Sequence, residues 1–242
     1  MELLGMIVGA IIVAVLIAFI VVKFLPLKLR WIASLLLLGA TVFLVYKIYG
    51  GIMEPIKFEE EKVKRYAGVV EHLKIIRDAE VRYKEVNGQY TDRKEELIRF
   101  IDSGQIALTE VKTVVENVNK GGGITVQEER KVTDTIGFEP VLKYFKDRDY
   151  KGMFAVPGVE GKEFELFSGD IEKVEGLYVP TFLAQTEKAD ILKGMNESLL
   201  KRELETIAND EIKGEYVSVG SLDEVSTAGN WPPSYDKTNV TN

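Results

Sequence analysis

The sequence predicts a membrane protein with a two-helix transmembrane hairpin, a long helical stalk and a soluble α+β head with mostly antiparallel strands. Three observations support this prediction. Two uncharged apolar runs, 3–22 and 31–46, stand near the start of the chain. An apolar stripe of helical period follows within residues 56–86. Short strand-like runs separated by turn residues then occupy most of the remainder.

The first apolar run has 20 residues, which at helical rise spans a hydrocarbon core about 30 Å thick. The second run reaches spanning length over 31–49 if the Lys47 amine extends to the interface. A cleavable signal peptide is the alternative for the first run. That run is too long for one, and no small-residue cleavage site follows it. We therefore assign residues 1–50 to a transmembrane hairpin.

The orientation of the hairpin is predicted from its basic residues. The short connection contains Lys23, Lys28 and Arg30, whereas the residue preceding the first run is Glu2. Positively charged flanks are retained on the cytoplasmic side of a membrane. Basic residues between 47 and 65 favour the opposite orientation, but four glutamates are mixed among them. The prediction is that both termini lie outside the cytoplasm.

Small residues recur in the first apolar run at helix-packing intervals. Gly5 and Gly9 form one ladder, and Ala10, Ala14 and Ala18 form a second ladder on a neighbouring face. Such residues let helix backbones approach closely in lipid. The ladders either pack the two hairpin helices together or leave one face for a partner or a second copy.

The chain beyond the hairpin is acidic. The first 50 residues hold four of the 31 basic and one of the 38 acidic residues, so 51–242 has a net charge of −10. An acidic surface repels nucleic acid and anionic lipid headgroups. The chain has no cysteine and one histidine, His72, which excludes thiolate and histidine metal clusters. We predict no cofactor, no metal and no enzymatic activity.

Residues 51–88 are predicted to form the stalk, as one helix that begins at Pro55 and ends at Asn87-Gly88. The stripe recurs at three- and four-residue steps and includes Val63, Tyr66, Val70, Leu73, Ile76 and Tyr83. Either the following domain folds back on the distal half of this stripe, or the proximal half serves oligomerisation, as in a coiled coil.

The remaining face of the stalk is predicted to be solvated. Opposite charges recur four residues apart, as in Glu61–Arg65 and Glu80–Lys84. His72 lies beside the stripe and is predicted to be a solvated surface residue.

Residues 89–235 are predicted to form the head, followed by a polar tail at 236–242. Asp92 and Glu95 match a capping box that would open a helix reaching about residue 102. Residues 109–119 fit either a helical face or a β-branched strand. A further helix is predicted from a cap at Asn196 to residue 208.

The strands of the head are predicted from β-branched and aromatic runs between turn residues. Ser168-Gly169-Asp170 and Val174-Glu175-Gly176 are interpreted as two of the turns. The predicted strands are 124–126, 131–136, 152–156, 163–167, 176–184 and 215–219.

The end of the stalk resembles an uncharacterised family of membrane-anchored proteins of Bacteroidota. The resemblance spans most of residues 54–235, and its motifs are Ala79, Tyr83, Asn87-Gly88 and Tyr90, Glu54-Pro55, Val156-Pro157-Gly158, Val219-Gly220-Ser221-Leu222 and Gly229-Asn230-Trp231-Pro232. It implies a protein of the bacterial inner membrane with its head in the periplasm, and it transfers no catalytic residue. The same helix end is similar to the post-anchor region of type IV pilins and pseudopilins.

These observations predict a non-enzymatic subunit or scaffold of a cell-envelope complex, with the lipid bilayer and other membrane helices as partners in a homo- or hetero-oligomer. A pilin-like or filament-forming structural subunit is the alternative. A third possibility is an enzyme with an acidic site, for which the pairs Asp147–Asp149 and Glu163–Glu165 are the candidates.

Overall fold

The computed structural model describes residues 12–20, 23, 26, 30–119, 125–205 and 211–236. The chain divides into two compact units, Met1–Lys57 and Phe58–Asn242. In the first unit, residues 12–20 are helical (α1), and helix α2, Arg30–Asn87, begins there. Gly5, Gly9 and Ala10 and most of the predicted hairpin connection lie outside the described residues, whereas Ala14 and Ala18 lie in α1.

The prediction that the stalk begins at Pro55 is wrong. Pro55 lies inside α2, which is continuous from Arg30 to Asn87. A proline inside a helix removes one hydrogen bond, and its ring crowds the carbonyl four residues earlier. That carbonyl belongs to Gly51, a residue without a side chain, preceded by Gly50. The end of α2 is as predicted, because Gly88 follows with φ of +78° and donates its N–H to the Lys84 carbonyl.

The second unit is an α+β domain with two antiparallel sheets. Strands β1 (Gln105–Asn119) and β2 (Thr125–Pro140) form a two-stranded sheet. Strands β3 (Glu165–Val174), β4 (Leu177–Glu187) and β5 (Tyr216–Gly220) form the second sheet in that order. The predicted succession of a long helix and an antiparallel α+β head is confirmed.

Short helices connect these strands. Helix α3, Lys94–Ser103, precedes β1, and a 3₁₀ turn, Val141–Tyr144, follows β2. Helices α4, Lys188–Ile191, and α5, Glu197–Leu204, lie between β4 and β5. The predicted cap of α5 is confirmed, since the Asn196 side chain accepts from the N–H groups of Ser198 and Leu199. A second 3₁₀ turn, Pro233–Asp236, ends the described chain.

The core of the second unit is built along α2. The side chains of Tyr66, Val69, Leu73 and Ile76 are fully buried among those of the head. Burial of each aliphatic side chain stabilises the fold by about 1.5–3 kcal/mol. Helix α3 contributes Leu97 and Ile101, which are also fully buried.

One predicted helix cap and one predicted turn in the head are wrong. The Asp92–Glu95 capping box does not form. The residue at the N-cap of α3 is Arg93, which makes no side-chain cap, and its N–H bonds the Thr91 hydroxyl instead. Ser168-Gly169-Asp170 is the middle of β3 and not a turn. Gly169 pairs with Thr181 in the ladder between β3 and β4, so this glycine does not end the strand.

The ambiguous segment 109–119 is a strand, because it forms most of β1. The hairpin turn at Val174-Glu175-Gly176 is confirmed, with Gly176 at φ of +83° between β3 and β4. Residues 152–156, a predicted strand, instead form turns with one isolated bridge between Ala155 and Glu163.

Candidate functional site

The N-terminal part of α2 presents apolar side chains to its surroundings. Trp31, Leu35, Leu38 and Phe43 are between 58% and 67% exposed. Within the described part of the chain, α2 is the one helix long and apolar enough to cross a membrane, and none of its apolar window is buried. Large contiguous apolar surfaces are rare on soluble monomers. This segment has the length and composition of a membrane span.

The ends of this segment carry groups suited to a membrane interface. Trp31 lies at one end, and Tyr46 and Tyr49 lie at the other, all well exposed. Aromatic rings of this kind concentrate at headgroup level. In the middle, the Thr41 hydroxyl donates to the Leu37 carbonyl at 2.8 Å, which satisfies a polar group inside an apolar stretch. The Lys47 amine lies 5.9 Å from the Phe43 ring centroid.

The second unit contains a buried cluster of charges around Lys62 of α2. The Lys62 ammonium lies 2.8 Å from Glu59, 3.1 Å from Glu203 and 2.9 Å from Glu211, measured from Nζ to the nearest carboxylate oxygen. The Lys62 side chain is 2% exposed and that of Glu203 is 6% exposed. We call these residues, together with Lys188 and Tyr66, the lysine–glutamate cluster.

Lys188 completes the lysine–glutamate cluster from the other side. It is fully buried, and its ammonium contacts the Glu203 carboxylate at 3.4 Å and the Glu203 backbone carbonyl at 3.1 Å. Its third acceptor is the carbonyl of Ile212. The Tyr66 hydroxyl donates to Glu203 at 3.3 Å. Each ammonium therefore has three acceptors for its three protons.

The two lysines differ in their electrostatics. Burial lowers the pKa of Lys62, but its hydrogen bonds with Glu59, Glu211 and Glu203 outweigh this effect and raise it overall. Lys188 has one carboxylate and two neutral carbonyls, so burial dominates and lowers its pKa. Burial and the neighbouring Glu203 raise the pKa of Tyr66. Burial likewise raises the pKa of Tyr235 to about 12, and its ring packs edge-on against Tyr66.

The geometry of the lysine–glutamate cluster joins elements that are far apart in sequence. Lys62 belongs to α2, Glu203 to α5, and Lys188 to α4. Nearby, the Arg65 guanidinium donates to the carbonyls of Ile191 and Lys193 at 2.9 and 3.1 Å. Both lysines and the shared carboxylate are buried, so the cluster connects α2 with α4 and α5 inside the head.

A second buried charged residue, Glu80, lies near the end of α2. Its side chain is fully buried. One carboxyl oxygen accepts the Thr91 N–H at 3.2 Å, and the other has no hydrogen-bond partner among the described residues. Burial raises the pKa of Glu80 to about 8, against the opposing Thr91 hydrogen bond and with a contribution from the charge of Asp92. Glu80 is therefore protonated at neutral pH.

A polar cleft of about 380 Å³ lies beside the Thr91 end of this arrangement. Asp92, Glu96 and Asp170 contribute carboxylates to its wall, Arg93 contributes one cation, and Tyr83 donates to Glu96 at 2.8 Å. Within the described part of the chain, no group of three or more histidine, aspartate or glutamate side chains could hold a metal ion.

The stripe residues predicted from the sequence lie at the centre of the head. Tyr66, Val70, Leu73, Ile76 and Tyr83 are all buried in its core, and Val63 packs partly buried against it. This burial begins at Phe58, so the head covers the proximal half of the stripe as well as the distal half.

His72 is not the solvated residue that the sequence predicts. It is half-buried, its ring lies 6.4 Å from that of Phe164, and its Nδ1 is buried without a hydrogen-bond partner among the described residues. The segment leading into β3 places Phe164 against this face of α2. The predicted Glu80–Lys84 pair is also wrong. Glu80 faces Thr91, and the Lys84 amine lies over the Tyr90 ring.

The sequence analysis missed Lys62 and Glu80, although their spacing contains a signal. Seven buried residues of α2 follow each other in alternating steps of four and three: Lys62, Tyr66, Val69, Leu73, Ile76, Glu80 and Tyr83. This is the spacing of one uninterrupted helix face. A charged residue at such a position predicts a buried partner or a neutralised side chain.

Comparisons with known proteins do not extend this description. No protein-family model matches the chain, and neither a curated protein nor a solved structure matches it significantly.

Removal of the central cation should strongly destabilise the second unit. In Lys62→Met, the Glu203 carboxylate stays buried and loses its closest cation. Loss of one partner from a buried ion pair costs about 3–5 kcal/mol. Lys64→Met is the matched control, because Lys64 is exposed on the same helix. Urea unfolding of the full chain in detergent measures the difference, and equal midpoints for the two variants would contradict this role of Lys62.

The raised pKa of Glu80 should make the stability of the fold pH-dependent. The folded chain binds this proton more tightly than the unfolded chain, so stability is highest below the ordinary glutamate pKa and falls as the pH rises through about 8. Glu80→Gln keeps the shape of the protonated side chain and removes the titration. Unfolding midpoints between pH 5 and 9 should fall for the natural chain and stay flatter for this variant.

The control for the Glu80 measurement is Glu95→Gln, at an exposed position of α3. This variant should keep the full pH dependence. Parallel curves for all three proteins would show that Glu80 does not titrate as a buried acid.

Proposed function

We propose that this protein is a non-enzymatic, membrane-anchored subunit or scaffold of a cell-envelope complex, which holds an acidic α+β head outside the cytoplasm. The observation that carries the proposal is the exposed apolar segment of α2 from Trp31 to Ile52. A bilayer or neighbouring membrane helices would cover this surface. The head then stays tethered at the membrane through the same chain.

The membrane hairpin is part of this proposal. The apolar run 3–22 is long enough for a second span, and its described part, 12–20, is helical with exposed side chains such as Leu16 and Phe19. A head needs one span to remain at a membrane. A second span doubles the lateral surface available to other membrane helices, and Ala14 and Ala18 offer close backbone approach there.

We propose that the head lies in the periplasm of a bacterial inner membrane, as the resemblance implies, and the charges that flank the spans support this orientation. Lys23, Lys28 and Arg30 favour the cytoplasm for the connection, so the head is placed on the other side. The net charge of −10 on residues 51–242 favours an exposed soluble head over contact with anionic headgroups.

The absence of enzymatic activity is proposed from the chemistry of the charged residues. The lysine–glutamate cluster uses its donors internally, and Glu80 is held neutral beneath Thr91. One of the carboxylate pairs considered as an acidic site, Glu163–Glu165, is engaged in other contacts. Glu163 pairs with Lys94 at 2.7 Å, and Glu165 accepts from Gln185 at 3.0 Å. A role in assembly depends on contacts at the protein surface and requires no reactive centre.

Single cysteines should report the topology without background, because the natural chain has none. A membrane-impermeant maleimide should label Glu2→Cys and Glu160→Cys in intact spheroplasts, and Lys28→Cys only after lysis. If Glu160→Cys were labelled but Glu2→Cys were not, the two positions would lie on opposite sides of the membrane. The chain would then cross it once, which would contradict the hairpin. Labelling of Lys28→Cys alone would reverse the orientation.

Membership in a complex should appear in the mass of the purified full chain. After mild-detergent extraction through a C-terminal tag, native mass measurement should give species heavier than the 27.2 kDa chain, as several copies or with a co-purifying protein. A monodisperse monomer across detergents and in lipid nanodiscs, with no co-purifying protein, would overturn the proposed function.

A further inference from the structure

The two-stranded sheet of β1 and β2 is a long ribbon with little of its own core. Its strands have 15 and 16 residues and pair from Gln105–Pro140 to Asn119–Thr125. An isolated two-stranded ribbon is marginally stable in water. Yet Val111 and Val115 are 60% and 54% exposed, and Ile136 and Phe138 are 62% and 68% exposed. The ribbon therefore has the character of a surface that a partner covers.

The two faces of the ribbon differ in chemistry. One face, which we call the charged face, carries four charged side chains, because Lys112 lies 3.2 Å from Glu110 and 3.9 Å from Asp134 and Arg130 follows on the same side. Val114 and Val132 lie among these charges and are exposed. The register places six uncharged β-branched side chains on the other face, which we call the threonine–valine face: Thr109, Val111, Thr113, Val115, Thr133 and Thr135. All six are exposed.

The threonine–valine face is also exposed at the base of the ribbon, the end that joins the head near residues 105 and 140. Ile106 points to the opposite side and packs against the core of the head, which fixes the ribbon there. Ala107 and Phe138, paired on the threonine–valine side, remain exposed. Both line a groove beside Val86 at the end of α2. The apolar character therefore continues from the middle of the ribbon to its base.

The charges on this face are self-complementary. Lys131 lies opposite Thr113, and Glu129 lies opposite Val115, one step further along the ribbon. A two-fold axis between these two pairs, perpendicular to the strands and parallel to the sheet, would place Lys131 of one copy over Glu129 of the other. The same operation would repeat that contact in reverse, and it would set Thr113 over Val115. A surface that matches itself in this way fits a second copy of the same chain.

We propose that the threonine–valine face binds the same face of a second copy, and that the ribbon is the dimerisation arm of the head. This proposal rests on the proposed function, since it names the partner surface of the membrane-anchored subunit. It assigns the occupant as an identical ribbon, packed face to face with its strands antiparallel to the first.

The area of the ribbon sets the strength of this contact. About this two-fold axis the two ribbons overlap from Thr109 to Asn119, a strand length of about 37 Å, and two strands are about 10 Å wide, so each copy would bury roughly 370 Å². The total of about 750 Å² is below the roughly 1,200 Å² at which stable specific interfaces begin and is typical of weak contacts. Anchoring both copies in one bilayer supplies the effective concentration that a contact of this size needs.

Lipid is a poor fit for the same face. A ribbon inserted into a bilayer would place unpaired backbone groups of both outer edges in hydrocarbon. The ribbon would also bring the charges of Lys112, Glu110 and Asp134 with it. A second ribbon covers the threonine–valine face, pairs the charges of Lys131 and Glu129, and leaves both edges and the charged face in water.

Cross-linking of the full chain in membranes tests the contact. Stacked sheets lie about 10 Å apart, beyond the reach of a disulfide, so a short bis-maleimide is the suitable reagent. Thr113→Cys should give a covalent dimer in high yield. Lys112→Cys is the matched control on the charged face of the same strand, and it should remain monomeric.

A charge-reversal series tests the two-fold arrangement in the Thr113→Cys background. Lys131→Glu sets carboxylates against Glu129 of the other copy twice, and the dimer yield should fall about tenfold. Arg130→Glu makes the same change of net charge on the other face and should leave the yield unchanged. Lys131→Glu combined with Glu129→Lys exchanges the charges and should restore the dimer.

The outcomes separate this proposal from the proposed function. A cross-linking yield that is equal for Thr113→Cys and Lys112→Cys, or insensitive to Lys131→Glu, would overturn the dimerisation arm. If the natural chain still purified in a heavier complex, the proposed function would stand without it. A monomeric chain that purified alone would overturn both.

Discussion

The packing of the head around one face of helix α2 is the interaction on which the second unit depends. Residues from Tyr66 to Tyr83 along this face are buried, and the sheet, the short helices and the C-terminal turn all contribute side chains to the same core. The three-stranded sheet has no separate hydrophobic core among the described residues. Its inward residues Phe182, Val217 and Val219 are buried in the core that α2 anchors.

Charged residues stand at both ends of this face, and the fold accommodates them by different means. Near the first end, Lys62 keeps its charge, because three carboxylates surround its ammonium. Near the other end, Glu80 has one backbone donor and no cation, so its pKa rises to about 8 and the proton stays. Pairing and neutralisation are the two ways in which a buried ionisable group becomes tolerable. The ion pair of Lys62 with Glu203 also connects α2 to α5, in the chain beyond β4.

Two surfaces remain uncovered once this core is complete. The apolar part of α2 from Trp31 to Ile52 belongs to the first unit, and the threonine–valine face belongs to the ribbon of the second. The two surfaces differ in kind. The apolar part of α2 is apolar on every side, whereas the threonine–valine face is one side of a ribbon whose other side is the charged face. The first has the length and composition of a membrane span, and the second is the face that we propose as a dimer contact.

The sequence by itself determined the features that depend on local periodicity and composition: the apolar spans, the stripe of α2, its end at Gly88, the cap at Asn196 and the turn at Gly176. Only the tertiary structure decided the rest. Pro55 lies within α2 and Gly169 lies within β3, although proline and glycine usually mark the ends of such elements. Glu203 and Lys188 meet Lys62 across more than a hundred residues, so no local pattern reveals their pairing. Local patterns report which side chains avoid water, whereas the identity of their buried partners depends on which distant segments fold against them.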